Sequence, residues 1–120
     1  MVKTFQDLIV WQKAMVVTER IYAITKSFPK DEMFGLTSQM RRSAVSVPSN
    51  IAEGKLRGTP AEFRRFLSIA FGSCGELQTQ LLLAVRIGYL SQSQAQDILN
   101  HLNEVLLMTN ELILRNSPHS

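Results

Sequence analysis

The chain carries one cysteine, Cys74, and two histidines, His101 and His119. A lone cysteine excludes an intrachain disulfide and suits a reducing, cytoplasmic setting. Cys74 falls on an apolar helical face without an activating partner, which points to an inert thiol. No Glu-x-x-His pair exists for a ferritin-type metal site; His101 and Glu104 occur in the reversed order on one helix. Arg115 and His119 stand too close together for the arginine–histidine spacing of small helical ribonucleases. Glycine-rich phosphate loops are missing as well. Long apolar runs are equally scarce: the longest, Leu81 to Val85, is far too short to span a bilayer. The N-terminal MVKTFQDLIVWQK breaks its apolar residues with Gln6, Asp7, Gln12 and Lys13, so it does not read as a signal peptide. These absences predict a cytoplasmic protein with no enzyme chemistry, no cofactor, no metal and no membrane partner.

What remains is helical. With 120 residues, 45% of them apolar, the chain is one domain with a single core. The spacing predicts helices over about 5–27, 36–56, 60–87 and 92–115, with 116–120 as a flexible tail, and no strand candidate competes. Thr4 caps the first helix, with Asp7 three residues on. Its apolar residues form two seams: Leu8, Trp11, Met15 and Tyr22, then Ala14, Val17, Ile21, Ile24 and Phe28. That is a broader arc than one two-helix contact requires, so one seam faces deep into a bundle or toward another subunit. Pro48 lies inside the second helix, where a kink rather than a break is expected. Thr59-Pro60-Ala61-Glu62 and Ser91 with Gln94 read as capping boxes. Short connections between long helices give an all-α, antiparallel, up-down-up-down four-helix bundle.

Ser43, Ser46 and Asn50 occupy positions where the second helix would otherwise be apolar. Polar groups withdrawn from water without partners cost roughly 1–3 kcal/mol each, so the stripe must be matched by something specific. An antiparallel register about Gly58 sets Gly72 and Gly75 opposite Arg41 to Ala44. It brings Arg41 or Arg42 near Glu76, and Glu53 near Arg64 or Arg65. Ser43, Ser46, Asn50, Ser73, Glu76 and Gln80 then line one interhelical strip. Arg41, Arg42, Ser43, Ser46, Asn50, Glu53 and Glu76 therefore read as a structural polar network, part of which is open to a ligand role. The two glycines either allow close backbone packing or make room for an arginine to cross the seam.

Net charge is +3 with a pI near 9.4, which permits a polyanionic partner without the density of a nucleic-acid-binding tail. Placement says more than the total. Lys3, Lys55, Arg57, Arg64, Arg65 and Arg115 gather at one end, against Asp7, Glu53, Glu62 and Glu111. Lys55, Arg57, Arg64 and Arg65 are the candidate phosphate contacts. A solvated surface with local ion pairs is the competing interpretation.

The segments FQDLIVWQKAM, FPKDEMFGLTSQMRRSAVSVPSNIAEG and EFRRFLSIAFGSCGELQTQLLLAVRIGYL resemble the four-helix-bundle proteins encoded in intervening sequences of bacterial 23S ribosomal RNA. The resemblance implies a left-handed bundle that assembles into a homopentamer. Related bundles are accessory proteins of diversity-generating retroelements, where a basic pentamer engages a reverse transcriptase and its template RNA. The family supplies no catalytic residues to transfer. The expected function is a non-enzymatic, self-associating module for RNA or a ribonucleoprotein, and the alternative is a retroelement accessory protein bound to a reverse transcriptase.

Overall fold

The computed structural model describes residues 2–118. Among them are four α-helices and no strand: α1 (Ile9–Thr25), α2 (Leu36–Leu56), α3 (Pro60–Arg86) and α4 (Gln92–Arg115). The cross-helix pairs fix the topology. Thr18 and Thr25 of α1 reach Ala44 and Arg41 of α2, so ascending one helix descends the other. Ser46 meets Ser73, and Gly54 meets Phe66, which makes α2 and α3 antiparallel. Lys13 pairs with Glu104 and Arg20 with Asp97, which does the same for α1 and α4. It follows that α3 and α4 are antiparallel too. Helices α1 and α3 lie diagonally across the bundle, with no backbone approach between them and only the core in common.

Local chemistry sets the helix ends. Thr59 Oγ1 accepts from the Glu62 amide at 3.2 Å, and Pro60 occupies the first helical position of α3. The Glu62 carboxylate does not return to close a box there; it turns to Arg65 instead, at 2.7 Å. At Ser91 and Gln94 the box is complete, with both bonds at 3.0 Å. Gly58 and Gly88 take φ of +84° and +87° just past α2 and α3, a left-handed turn that favours glycine.

The first helix begins later than its periodicity predicts. Thr4 and Asp7 cap a single 3-10 turn over Phe5–Asp7, Leu8 is extended, and α1 starts at Ile9. Its two seams are used unequally. Ala14, Val17, Ile21 and Phe28 of the second seam are buried, together with Val10, among Met40, Ile51, Leu67, Leu77, Leu81, Ile98 and Leu102, and Ile24 packs against them. Of the other seam, Leu8 and Trp11 pack at the core's edge while Met15 and Tyr22 stay exposed.

Helix α2 runs unbroken through the buried Pro48. A proline there leaves the carbonyl one turn earlier, that of Ala44, without its helical donor. Thr18 of α1 replaces it: its hydroxyl lies 3.0 Å from that oxygen and 2.9 Å from Ala14 O. Gly72 and Gly75 correct the sequence expectation. A Cβ at either position meets nothing within 4 Å, so they neither pack backbone on backbone nor clear a path for arginine. The close approach falls on Gly54, where a Cβ would sit 2.7 Å from Phe66 Cβ. The expected tail starts with anchored residues: Asn116 Nδ2 donates to Leu112 O at 2.8 Å and Ser117 Oγ to Ile113 O at 2.8 Å. His119 and the end of that tail lie outside the described residues.

Candidate nucleic-acid interface and the α2 grooves

At the α2–α3 connection the basic residues surround two phenylalanines. The Arg57 and Arg65 guanidinium carbons lie 5.1 and 4.4 Å from the Phe66 ring centre, and Lys55 Nζ lies 5.5 Å from that of Phe63. Glu62 joins the two arginines, at 2.7 Å from Arg65 and 3.9 Å from Arg57. The Arg65 side chain and charge hold the Glu62 carboxyl below its ordinary range. Glu53 pairs with Arg57 on its own helix at 2.7 Å, not across the seam with Arg64 or Arg65. Helical spacing explains this, since a partner one turn away is reached without bridging two helices. Arg64 faces α4 and donates to the Asn116 carbonyl at 2.6 Å. The structure therefore brings Arg57 and Arg65 together on Phe66, with Lys55 on the neighbouring Phe63 and Arg64 turned to the end of α4.

The polar strip forms a groove of about 330 Å³ between α2 and α3. Its floor is a short hydrogen-bonded chain. Asn50 Nδ2 donates to Ser46 O at 2.8 Å and Ser46 Oγ at 3.0 Å, and Ser46 Oγ shares a hydrogen with Ser73 Oγ at 2.8 Å. Ser43 is buried beside it. Arg42 lines the α2 bank; Glu76 and Gln80 line that of α3. Arg42 and Glu76, both exposed, line the same groove as the register places them, and form no ion pair with each other. Gln80 Oε1 is buried and has no hydrogen-bond partner within the described residues. Arg41 leaves this strip altogether. Its Nε donates to Thr25 Oγ1 at 2.9 Å and its guanidinium covers the Tyr22 ring at 4.8 Å.

A second, more open groove of about 530 Å³ lies on the α1 side of α2. Tyr22, Met33, Phe34 and Val45 supply its apolar lining, and Arg42 and Ser46 belong to both grooves. Phe34 is 96% exposed. Sequence reasoning misses this groove, although the apolar pair Met33-Phe34 inside a polar connection is its visible sign.

Burial pushes the Cys74 thiol up to about 12, which keeps it protonated at neutral pH. His101 Nε2 lies 4.0 Å from Asp97, one turn away on α4. Among the described residues no cluster of three metal-ligating side chains occurs, and no helix is long and apolar enough to cross a membrane.

The sequence profile of the 23S rRNA-intervening sequence proteins matches residues 6–111. The chain belongs to that family. A crystal structure from Bacteroides thetaiotaomicron VPI-5482, described as a protein of unknown function from the S23 ribosomal protein family, is similar at a TM-score of 0.81. The two share 26% identity over 88% of this chain and 98% of that one. No curated protein matches. The family match extends well past the Pro-Ser-Asn-Ile-Ala-Glu-Gly segment of α2, where Asn50 and Gly54 are explained by the groove floor and the Phe66 contact.

Proposed function

We propose that the protein is a non-enzymatic, cytoplasmic module that assembles with copies of itself and engages RNA through the basic end at the α2–α3 connection. One observation carries this reading: Lys55, Arg57 and Arg65 converge around Phe63 and Phe66, with Arg64 on the same turn of α3. The ion pairs that occupy Arg57 and Arg65 are half exposed, and such pairs contribute only about 0–1 kcal/mol. A phosphate that releases counterions displaces them readily. The buried, unactivated Cys74 supports a binding role over catalysis. Exposed Ile9, Met15 and Val16 on α1 support self-association, and the homopentamer implied by the resemblance would repeat the basic end around one axis. The family's name, which ties it to 23S rRNA, fits an RNA partner.

Filter binding of structured RNA at two salt concentrations tests the reading. Affinity falls steeply with salt, and neutralising Arg57, Arg64 and Arg65 together weakens binding to many sequences alike and flattens the slope. Unchanged affinity and slope in that variant would remove the basic end from the interface.

A further inference from the structure

Four side chains that line the two grooves have unmet capacity for contact. Among the described residues, the exposed Arg42 has no ion pair, and neither has the exposed carboxylate of Glu76 across the groove. Gln80, which lines the same groove, holds a buried acceptor that meets no donor among the described residues. Phe34 stands almost fully in solvent at the mouth of the neighbouring groove. The two grooves meet at Arg42 and Ser46, which line both.

We propose that the joined grooves form a cleft for an unpaired, guanosine-containing step of RNA. In this arrangement Arg42 contacts the bridging phosphate, Glu76 the guanine edge, and Phe34 stacks on the neighbouring base. The proposal rests on the RNA-binding reading and names which RNA that surface reads. A carboxylate is acceptor-only. Guanine is the base whose Watson–Crick edge offers two adjacent N–H donors, N1–H and the exocyclic amine, so it alone satisfies Glu76 in bidentate fashion. Unstacked bases of single-stranded RNA lie on aromatic rings and arginine planes, and the Phe34 groove offers both, with Arg41 beside Tyr22. A guanidinium between the two grooves stands where a dinucleotide carries its phosphate.

Fluorescence anisotropy tests this with a labelled oligoadenylate that carries one central guanosine. It is compared with the all-adenosine strand and with inosine in the same place. The wild-type protein binds the guanosine strand about fivefold tighter or more, the lower end for a bidentate base contact, and inosine loses much of the gain. Glu76→Gln abolishes the discrimination, while Phe34→Ala and Arg42→Gln weaken both strands. All three residues are exposed, and unchanged melting of the variants shows that each still folds. Equal binding of both strands by the wild type, or a preference that survives Glu76→Gln, overturns the cleft and leaves the basic end standing. Binding of neither strand overturns the RNA reading with it. Guanosine monophosphate competing as strongly as the oligomer would make this a free-nucleotide site and overturn the RNA step. Loss of assembly in Glu76→Gln would give the groove to a second copy of the chain and overturn it too.

Discussion

Pro48 and Thr18 are coupled across two helices. The proline deletes the amide that would bond Ala44 O, and the Thr18 hydroxyl fills the vacancy at 3.0 Å. Thr18→Val should therefore cost about 1–2 kcal/mol, because the Ala44 carbonyl is left inside the bundle without its cross-helix donor. In a Pro48→Ala background the same change should cost less, since the alanine amide restores the helical bond. Urea denaturation of the four proteins in this double-mutant cycle measures the coupling, and equal penalties in both backgrounds would deny it. The glycines give a second contrast at this scale. Gly54→Ala drives a methyl to within 2.7 Å of Phe66 Cβ and should lower stability by about 1–3 kcal/mol. Gly72→Ala enters open space on a helix and should raise stability by about 0.5–1 kcal/mol. Thermal melts that rank the two alike would contradict the packing described here. Nothing in the sequence separates these glycines, because all lie on helices and only the seam distinguishes them.

Between elements, Glu32 acts as a clasp. Gly35 offers no side chain to cap α2, so Glu32 Oε1 accepts from the Leu36 amide at 3.1 Å while Oε2 accepts from Tyr89 Oη at 2.8 Å. One carboxylate thus joins the α1–α2 connection to the turn between α3 and α4. The Leu36 amide first, and then the Tyr89 hydroxyl, hold its pKa below the ordinary carboxylate value. Folded Glu32 therefore releases its proton more readily than unfolded Glu32. Its contribution is present above the unfolded value of about 4.3 and is lost as pH falls through the lower folded value. Glu32→Gln should leave a smaller difference between urea midpoints at neutral and strongly acid pH. Asp7, Glu62 and Glu104 are also depressed, so a residual acid loss persists in the variant. An unchanged pH dependence would mean that the clasp does not act. Helix boundaries at Thr59, Ser91, Gly58 and Gly88 were legible because caps and left-handed turns are written in adjacent residues. The late start of α1 was not, because the cap at Thr4 serves a 3-10 turn just as well as a longer helix.

At the scale of the molecule, the bundle and the strip of serines between α2 and α3 follow from apolar spacing and one short turn. The carboxylate partners did not follow: Arg57 and Arg65 each choose among several anions within reach of a long side chain, and periodicity does not rank them. Phe34 is passed over for a different reason: helical periodicity gives no weight to apolar residues in a connection, although Met33-Phe34 stands out there. Self-association is the remaining expectation at this scale. Ile9, Met15 and Val16 lie exposed on α1, and Leu82 and Leu83 on α3, the helix diagonally opposite, with Ile87 at its end. Two different apolar faces on one chain suit a head-to-tail contact, which closes into a ring when the rotation permits. Light scattering should give a single species of five chains, and a monomer at micromolar concentration would end the proposal. Met15→Glu and Leu83→Glu should each break the ring, as a charge buried in an apolar contact is left unpaired. Mixed together, the two variants retain one intact face apiece and should form a dimer of unlike chains and nothing larger. A variant mixture that remains monomeric would show that these faces do not meet.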